Sequence, residues 1–348
     1  MDFISGLYNL YLKDRFKEIQ NYATEASDIQ SEQLSNLLLE ASETEMGKRF
    51  NFKTIYSYQE FRERLPIQRI SDLSNDINRM ASGASNIVWP GAPIAIMDSI
   101  NNIKIPLFHQ AIIEIFQKGI GDSYAIHMQS HPDCKLLDGF SVNVGNGERS
   151  PFLNELYSIL RENEPFLSNL LNLPKRVGKD KDGNPSIELV LQECLGQKVT
   201  SFRGTPQRLN AVLSKGLHKT GNSNIQTLWP DAEILFERNI LNHVEIAEQK
   251  QLIPDNIQYQ FSYLSPEGLF GIQDGIEDES LLLMLDLSTF YEFIPIDGDS
   301  SDIIPLEDIT IDQVYTLVIT NCNGLWRCCS EGPKIKFVAT NPFRFILI

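Results

Sequence analysis

The sequence predicts an α/β protein that begins with helices, continues with alternating strands and helices, and ends with short antiparallel strands. Apolar residues recur at helical spacing through residues 1–91, and strand-like runs alternate with helix-like stretches over residues 92–275. Short strand-like runs separated by turn residues fill residues 276–348. The alternation is typical of a mostly parallel sheet flanked by helices, whereas the final part is typical of a small antiparallel sheet or barrel.

The helices of the N-terminal part are marked by apolar stripes and by signals at their ends. Three stripes stand out: Ile4, Leu7, Tyr8, Tyr11 and Phe16; Leu34, Leu37, Leu38 and Ala41; Leu73, Ile77 and Met80. Ser57 followed by Glu60 has the spacing of a capping box, and Pro66 ends the short helix that it opens.

The remaining elements are predicted from apolar runs and from the glycines, prolines and polar residues between them. Predicted strands are Pro93–Met97, 103–107, Phe140–Val144, Val199–Phe202, Ala232–Phe236, 257–263, Leu281–Leu285, Phe290–Ile294, Tyr315–Thr320, Lys334–Val338 and Arg344–Ile348. Predicted helices are Ala111–Lys118, which Gly119 and Gly121 follow, Ile187–Leu195 and Pro206–Lys215. Residues 174–186 are polar and rich in glycine, lysine and aspartate, which predicts a loop.

Charge and composition exclude several classes of partner. The net charge of −16 repels phosphate backbones and anionic lipid surfaces, so neither nucleic acid nor a membrane is an expected partner. No run approaches the roughly 18 apolar residues of a membrane span. The N-terminus lacks the basic start and short apolar run of a secretory signal, and we therefore expect a cytoplasmic protein.

The cysteines and histidines do not form a recognised metal or disulfide pattern. The cysteines are odd in number, five, and no Cys-x-x-Cys pair occurs, so neither a disulfide framework nor a structural zinc site is expected. The histidines lack a spacing such as His-Glu-x-x-His. They are His109, His127, His131, His218 and His243.

A series of short motifs follows the chain in a characteristic order. The motifs are Thr44-Glu45-Met46-Gly47-Lys48-Arg49-Phe50, Tyr58-x-x-Phe61, Leu65-Pro66-Ile67, Ile87-Val88-Trp89-Pro90-Gly91, Leu228-Trp229-Pro230, Tyr263-x-x-x-Glu267-Gly268, Phe290-Tyr291-Glu292-Phe293-Ile294-Pro295 and Asn323-Gly324-Leu325-Trp326-Arg327. Together they resemble the GH3 family of acyl-acid amido synthetases, relatives of acyl-CoA synthetases and luciferases, from about residue 31 to residue 348. The resemblance implies an adenylate-forming N-terminal domain over residues 1–348, with two mostly parallel sheets flanked by helices and a small antiparallel barrel-like part.

The resemblance also implies a reaction and its cofactors. Family members use ATP and Mg²⁺ to convert a small carboxylic acid into an acyl-adenylate, and then transfer the acyl group to an amino acid. This chemistry needs a loop that cradles phosphates, a carboxylate at the magnesium ion and a carboxylate at the ribose.

The family's phosphate loop aligns with residues 98–102, where its glycine is replaced. Ser99 matches, Asn101 and Asn102 are polar, but Ile100 stands in place of the glycine and blocks close approach of a phosphate. Asp98 adds a negative charge there. At about 4 Å and an effective dielectric constant of about 20, its repulsion of one phosphate charge costs about 4 kcal/mol.

The other two nucleotide motifs match in part. Tyr263 aligns with the residue that stacks near adenine, and Glu267 with the magnesium ligand. Trp326 and Arg327 match the motif that precedes the ribose-binding aspartate, but that aspartate is missing. Glu331 is the carboxylate nearest to the missing position, followed by Gly332 and the stiff Pro333.

Two further departures bear on the acyl pocket and on closure of the site. Residues 237–239, Glu-Arg-Asn, stand where the family has a glycine-rich turn, and we expect an ordinary loop there. The family's C-terminal lid begins just after a Pro-x-Arg strand that Pro342-Phe343-Arg344 matches, and the sequence ends at Ile348. We therefore expect the lid to be absent or supplied by another polypeptide.

Three hypotheses follow for the function. The first is a catalytically degenerate, folded relative that acts in binding or regulation, with a full-length family member or a second copy as its partner. The second is an active acid–amino acid ligase with altered site residues. The third is a decaying copy without a selected role, which should aggregate through an exposed terminal strand.

Overall fold

The computed structural model describes residues 2–98, 103–145, 151–164, 166–175, 186–238, 252–275 and 279–348. Its helices are α1 (Asp2–Gln20), α2 (Ala26–Glu40), α3 (Glu45–Arg49), α4 (Tyr58–Arg64), α5 (Ser74–Ala81), α6 (His109–Ala111), α7 (Lys118–Ser130), α8 (Pro151–Glu162), α9 (Phe166–Leu171), α10 (Ile187–Cys194), α11 (Pro206–Thr220) and α12 (Ile225–Leu228). A π-helical stretch, Ile112–Gln117, joins α6 to α7.

The described strands include one for each of the eleven predicted runs and five that were not predicted, at residues 68–69, 172–173, 268–272, 304–305 and 325–329. They are β1 (Gln68–Arg69), β2 (Ala95–Asp98), β3 (Lys104–Leu107), β4 (Phe140–Gly145), β5 (Asn172–Leu173), β6 (Val199–Gly204), β7 (Ile234–Arg238), β8 (Gln258–Ser265), β9 (Gly268–Ile272), β10 (Leu281–Leu283), β11 (Thr289–Pro295), β12 (Ile304–Pro305), β13 (Val314–Asn321), β14 (Leu325–Cys329), β15 (Ile335–Thr340) and β16 (Phe343–Leu347).

The chain forms two compact units, each assembled from three separate segments. The first unit comprises Met1–Glu18, Ile120–Leu264 and Phe270–Asp278, and the second comprises Ile19–Gly119, Ser265–Leu269 and Glu279–Ile348.

The first unit is built on a parallel sheet in the order β5-β4-β6-β7-β8, with β9 beside β8. Alternate residues of β7 point to opposite faces, as in any strand. Leu235 packs into a cluster with residues of α10 and α11, whereas Ile234 and Phe236 pack with Leu12 of α1 and Tyr124 of α7. Helices thus cover both faces of the sheet, which is the arrangement that parallel sheets require.

The second unit is built mainly on antiparallel strands. β11 pairs with β13 from end to end, β13 also pairs with β14 and β15, and β16 lies between β15 and β10. Gln30 of α2 lies in the core of this unit, where its amide donates to the carbonyls of Leu285 and Thr289 and accepts from the Tyr291 N–H. These three bonds fix the N-terminal helices on the strands, because a buried amide must satisfy its polar atoms.

The predicted fold class is confirmed, with one difference in how the strands pair. Among the described strands, parallel pairing occurs throughout the β5-to-β8 sheet and once more between β1 and β14. Antiparallel pairing joins β2 to β3 and also joins β10–β16, β11–β12, β11–β13, β13–β14, β13–β15 and β15–β16. The predicted cap is confirmed in part: the Ser57 hydroxyl accepts from the Glu60 N–H, but the Glu60 carboxylate accepts from the Tyr56 N–H instead of the Ser57 N–H that a capping box requires.

The predicted helices between residues 111 and 171 are incomplete. The helix predicted over Ala111–Lys118 is part of a longer helical segment that runs through Gly119 and Gly121 to Ser130. Gly119 belongs there because a Cβ at this position would lie 2.8 Å from Leu269 Cδ1. Helices α8 and α9 occupy a stretch for which no element was predicted.

The predicted loop at residues 237–239 begins as strand. Glu237 and Arg238 end β7, where Glu237 pairs with Gly204 on one side and Phe261 on the other. The pairing of both neighbouring strands extends β7 beyond its apolar run. Asn239 and most of the predicted loop 174–186 lie outside the described residues.

Two findings bear on the chemistry expected from composition. All five cysteines are free thiols. Among the helices of the described residues, none combines the length and the hydrophobicity needed to cross a bilayer.

Candidate functional site

The position aligned with the phosphate loop is the connection of a β-hairpin in the second unit. β2 and β3 are antiparallel, and Asp98 at the end of β2 is the Cα partner of Lys104 at the start of β3. Both side chains are exposed. Ser99, Asn101 and Asn102 lie outside the described residues, so their assignment to phosphate binding stays a prediction. Asp98 and Lys104 therefore place one negative and one positive charge at the two ends of that connection.

Glu267, the predicted magnesium ligand, is a buried carboxylate. It lies at the turn between β8 and β9 and is only 3% exposed. One carboxylate oxygen accepts from the Ser265 hydroxyl, and the other accepts from the backbone N–H of Glu331 at 3.3 Å. Burial raises the pKa of the Glu267 carboxyl, while these hydrogen bonds oppose the rise. Among the described residues, no lysine or arginine forms an ion pair with it.

Glu331, the predicted ribose contact, meets Glu267 through its backbone. Its side chain is exposed, and its N–H points at the buried carboxylate. The structure therefore brings these two predicted site residues together, although they are 64 residues apart in sequence. The contact uses the main chain of Glu331 and leaves its carboxylate on the surface.

Two asparagines connect the motif of Glu267 to the other motifs of the second unit. Asn321 donates from its side-chain amide to the Glu267 carbonyl at 2.7 Å and accepts from the Asn323 N–H at 3.1 Å. The Asn323 side chain accepts from the N–H of Phe108, just after β3, at 3.2 Å. Gly324 then turns the chain with a φ of +73°. This asparagine relay joins the segment after the phosphate-loop hairpin to Glu267 and to β14.

Trp326 lies in the core of the second unit. Its ring is fully buried, with the ring centroids of Phe52 at 4.5 Å and Trp89 at 6.2 Å, and its indole N–H donates to the Val88 carbonyl at 2.9 Å. The large apolar surface of the indole and its single N–H donor are thus both used inside the protein. Its predicted role at the nucleotide stays a prediction.

Arg327 forms a buried bidentate ion pair with Glu292. Its guanidinium donates to both Glu292 oxygens, at 2.8 Å and 2.7 Å, and to the carbonyls of Leu65 and Arg62 at 2.5 Å and 3.1 Å. The Tyr58 hydroxyl adds a bond to Glu292 at 2.9 Å. Of the five N–H donors of a guanidinium, most are therefore bound within the protein.

The backbone of Arg327 is unusual as well. Its φ is +49°, in the left-handed region that costs a side-chain-bearing residue about 1–2 kcal/mol. The ion pair and the two carbonyl contacts hold the residue in this conformation. The assignment of Arg327 to nucleotide binding stays a prediction.

Tyr263, the predicted adenine contact, belongs to the first unit. It lies in β8, is buried, and its ring centroid lies 5.4 Å from that of Phe270 on the neighbouring β9. Its role at adenine also stays a prediction.

Sequence reasoning missed the residues that support this site. Ser265, Asn321 and Glu292 each bond to a predicted site residue. Ser265 and Glu292 both lie within motifs given above. Ser265 could have been found as a polar residue two positions before Glu267. Glu292 could have been found as a charged residue between two aromatic residues of a strand, Tyr291 and Phe293. The pairing of Glu292 with Arg327 required the register of the strands.

The fold is that of adenylate-forming enzymes. The chain superimposes on the AtGH3.15 acyl acid amido synthetase in complex with 2,4-DB with a TM-score of 0.73 and 14% identity, covering 97% of this chain and 70% of that one. It also matches an open conformation of 2-hydroxyisobutyryl-CoA ligase, with a TM-score of 0.52 and 14% identity, covering 97% of this chain and 67% of that one.

The sequence places the chain within this class. Residues 15–99 match the GH3 family N-terminal domain, and residues 282–339 match the GH3 family central domain. The 4-substituted benzoates–glutamate ligase GH3.12 of Arabidopsis thaliana is 42% identical over 93 residues, a match that covers 22% of this chain and 16% of the ligase. Two segments of the chain, which together make up less than half of its length, thus match GH3 family domains.

Proposed function

We propose that this chain is a catalytically degenerate relative of the ATP-dependent acyl-acid amido synthetases and acts in binding or regulation. The observation that carries the proposal is the asparagine relay. Asn321 and Asn323 hold the Glu267 turn, the start of β14 and the segment after β3 together, so the framework of the motifs is intact. Two positions that would touch the nucleotide differ from the family: Ile100 replaces the glycine of the phosphate loop, and the ribose-binding aspartate is missing.

Glu267 is poorly placed to receive a magnesium ion. Its two oxygens already accept hydrogen bonds from Ser265 and Glu331, and it is buried with a raised pKa. A Mg²⁺ ion needs ionised, oriented oxygen ligands and usually keeps several waters. Coordination at Glu267 would require these bonds to break and water to enter. In addition, the negative charge of Asp98, at the end of β2, would repel the phosphates of a nucleotide bound there.

The alternative is an active ATP- and Mg²⁺-dependent ligase that joins a small carboxylic acid to an amino acid. One observation favours it: Glu267 is a buried carboxylate without a lysine or arginine partner among the described residues, and such a carboxylate suits a metal ion. In this reading Glu267 would hold Mg²⁺, and Ser99, Asn101 and Asn102 would hold the phosphates. Bound ATP would supply the adenylyl group, and the names of the relatives suggest an acyl acid and glutamate as substrate classes.

In that alternative, the remaining predicted residues bind and orient the nucleotide. Tyr263 would pack on adenine, Glu331 would reach the ribose hydroxyls with its exposed carboxylate, and Trp326 and Arg327 would support the strand that carries them. Glu331 would have to replace the family's aspartate from the other side of the glycine, which Pro333 opposes.

Calorimetric titration with Mg-ATP distinguishes the two functions. We expect no saturable heat at millimolar ATP, which means a dissociation constant above about 1 mM, or a binding free energy weaker than about −4 kcal/mol. The matched variants are Glu267→Gln and, as a control, Glu307→Gln, which removes the same charge from an exposed position of the same unit. Saturable binding that Glu267→Gln weakens and Glu307→Gln leaves unchanged would overturn degeneracy and favour the ligase.

A protein partner is the second part of the proposal. We expect association with a full-length family member or with a second copy of this chain, measured by sedimentation velocity over a range of concentrations. A monomer at every concentration, alone and mixed with a full-length member, would contradict a role in binding.

A further inference from the structure

Three metal-binding side chains meet in the first unit, away from every residue assigned above. His127 lies in α7, Cys134 lies in the loop that follows α7, and Glu233 directly precedes β7. One ligand atom from each residue, a ring nitrogen, a thiol sulfur and a carboxylate oxygen, lies within 4.8 Å of the other two. Glu233 is distant in sequence, so the fold itself creates this cluster.

The cluster holds polar atoms that the described protein leaves unsatisfied. His127 is only 4% exposed, and its Nε2 has no hydrogen-bond partner among the described residues. Glu233 Oε1 is likewise a buried atom without a hydrogen-bond partner among the described residues. Buried polar atoms in native proteins nearly always have a partner, and each exception calls for a ligand, an ion or a water. Two such atoms within one cluster of metal-binding residues point to an ion.

The surroundings orient the ligands as metal sites require. Glu233 Oε2 accepts from the backbone N–H of Lys135 at 3.1 Å, and this bond fixes the orientation of the carboxylate. The other oxygen, Oε1, has no hydrogen-bond partner among the described residues and is available to an ion. The His131 ring stacks on the His127 ring with centroids 4.6 Å apart, and His131 Nδ1 lies 3.1 Å from the His127 carbonyl. Outer contacts of this kind hold the first ligands in position and tune their basicity.

We propose that His127, Cys134 and Glu233 bind a divalent transition-metal ion, with zinc as the best match. Zinc accepts mixed nitrogen, sulfur and oxygen ligands in a tetrahedron with bonds of about 2.0–2.3 Å, whose edges are roughly 3.3–3.8 Å. With ligand atoms within 4.8 Å of one another, the three side chains would have to close by at most about 1.0–1.5 Å. A water molecule completes the fourth position.

The sequence contains a signal for this site that the expected motifs do not cover. His127, His131 and Cys134 follow the spacing His-x-x-x-His-x-x-Cys, which places one histidine in the last turn of α7 and the second histidine and the thiol just beyond its end. A bound ion would tie the end of α7 to the start of β7, and it would stabilise the first unit independently of the Glu267 site.

Cobalt substitution tests the proposal directly. Untagged protein is stripped with a chelator and titrated with Co²⁺ and then with Zn²⁺. We expect one metal ion per chain by elemental analysis, a sulfur-to-cobalt charge-transfer band, and displacement of cobalt by zinc. Cys134→Ser should abolish the band, and Glu233→Gln should weaken binding by about tenfold or more. Cys329→Ser, which removes another half-buried thiol, should change neither.

A second measurement keeps the test valid if a variant does not fold. Wild-type protein is alkylated with and without Zn²⁺, and the modified cysteines are mapped by mass spectrometry. Zinc should protect Cys134 and leave Cys329 unchanged. Absence of stoichiometric cobalt binding by the wild type, a charge-transfer band that persists in Cys134→Ser, or equal alkylation of Cys134 with and without zinc would each overturn the proposal.

Discussion

The buried pair Arg327–Glu292 allows a quantitative prediction for the second unit. Glu292→Gln keeps the shape of the side chain but replaces one carboxylate oxygen with an NH₂ group. The guanidinium loses its counter-charge and one of its two bonds to this side chain, which are 2.8 Å and 2.7 Å long in the wild type. Both side chains are almost inaccessible, with exposures of 3% and 1%. Water therefore cannot replace the lost partner.

The expected loss of stability is about 3–5 kcal/mol, because removal of one partner leaves an uncompensated buried charge. An exposed ion pair would lose about 1 kcal/mol or less, so the two cases are well separated. A loss of this size is a large fraction of the 5–15 kcal/mol that typical folded proteins have. Because the ion pair helps to hold the Arg327 φ at +49°, relaxation of this backbone in the variant would offset part of the loss.

Urea unfolding followed by tryptophan fluorescence measures this loss. Trp89 and Trp326 belong to the second unit and lie near the substituted pair, so their emission reports on the relevant transition. The double variant Glu292→Leu with Arg327→Met removes both charges and should lose less stability than Glu292→Gln alone. A loss below about 1 kcal/mol for Glu292→Gln, or a double variant less stable than the single one, would refute the reasoning.

Two further predictions concern backbone geometry and thiol reactivity. Gly324 and Gly221 have nearly the same φ, +73° and +71°, but a Cβ would lie 2.3 Å from Val88 Cγ2 at Gly324 and would meet nothing within 4 Å at Gly221. In urea unfolding, Gly221→Ala should cost about 1–2 kcal/mol and Gly324→Ala about 1–3 kcal/mol more, and equal losses would contradict the steric argument. Burial raises the pKa of Cys194 to about 12 and that of Cys328 further still, so neither thiol should react with a disulfide reagent at pH 8 until urea unfolds the protein. Rapid labelling of either cysteine in the native protein would show that these regions open.

The sequence predicted well those elements that are marked by signals within their own residues. Helix α10 and strands β4 and β6 were expected within about two residues of their observed bounds, because apolar runs and turn residues mark them. The continuation of the helix through Gly119 was not predicted, since glycine is ordinarily a stop signal. There, close packing against Leu269 favours a residue without a side chain, and tertiary packing outweighs propensity.

The candidate site was also predicted in part, because some of its features lie in sequence motifs and others depend on contacts between distant segments. Glu267 was predicted because it stands in a motif, and its contact with Glu331 joins two motifs that were each visible in the sequence. Its burial, and the lack of a lysine or arginine partner among the described residues, depend on distant strands and could not be read from residue order. The cluster of His127, Cys134 and Glu233 was missed for the same reason, because Glu233 reaches it only through the parallel pairing that places β7 in its sheet.

The interleaving of the two units has a consequence during synthesis. The second unit begins with residues 19–119 but needs strands from residue 279 onward to cover them. At about 5–20 residues per second, the roughly 160 intervening residues take some 10–30 s to emerge from a ribosome. The apolar faces of the early helices stay without their strands for that time and are a natural binding target for chaperones. Codon choice between residues 119 and 279 would then set how long the nascent protein stays vulnerable to aggregation.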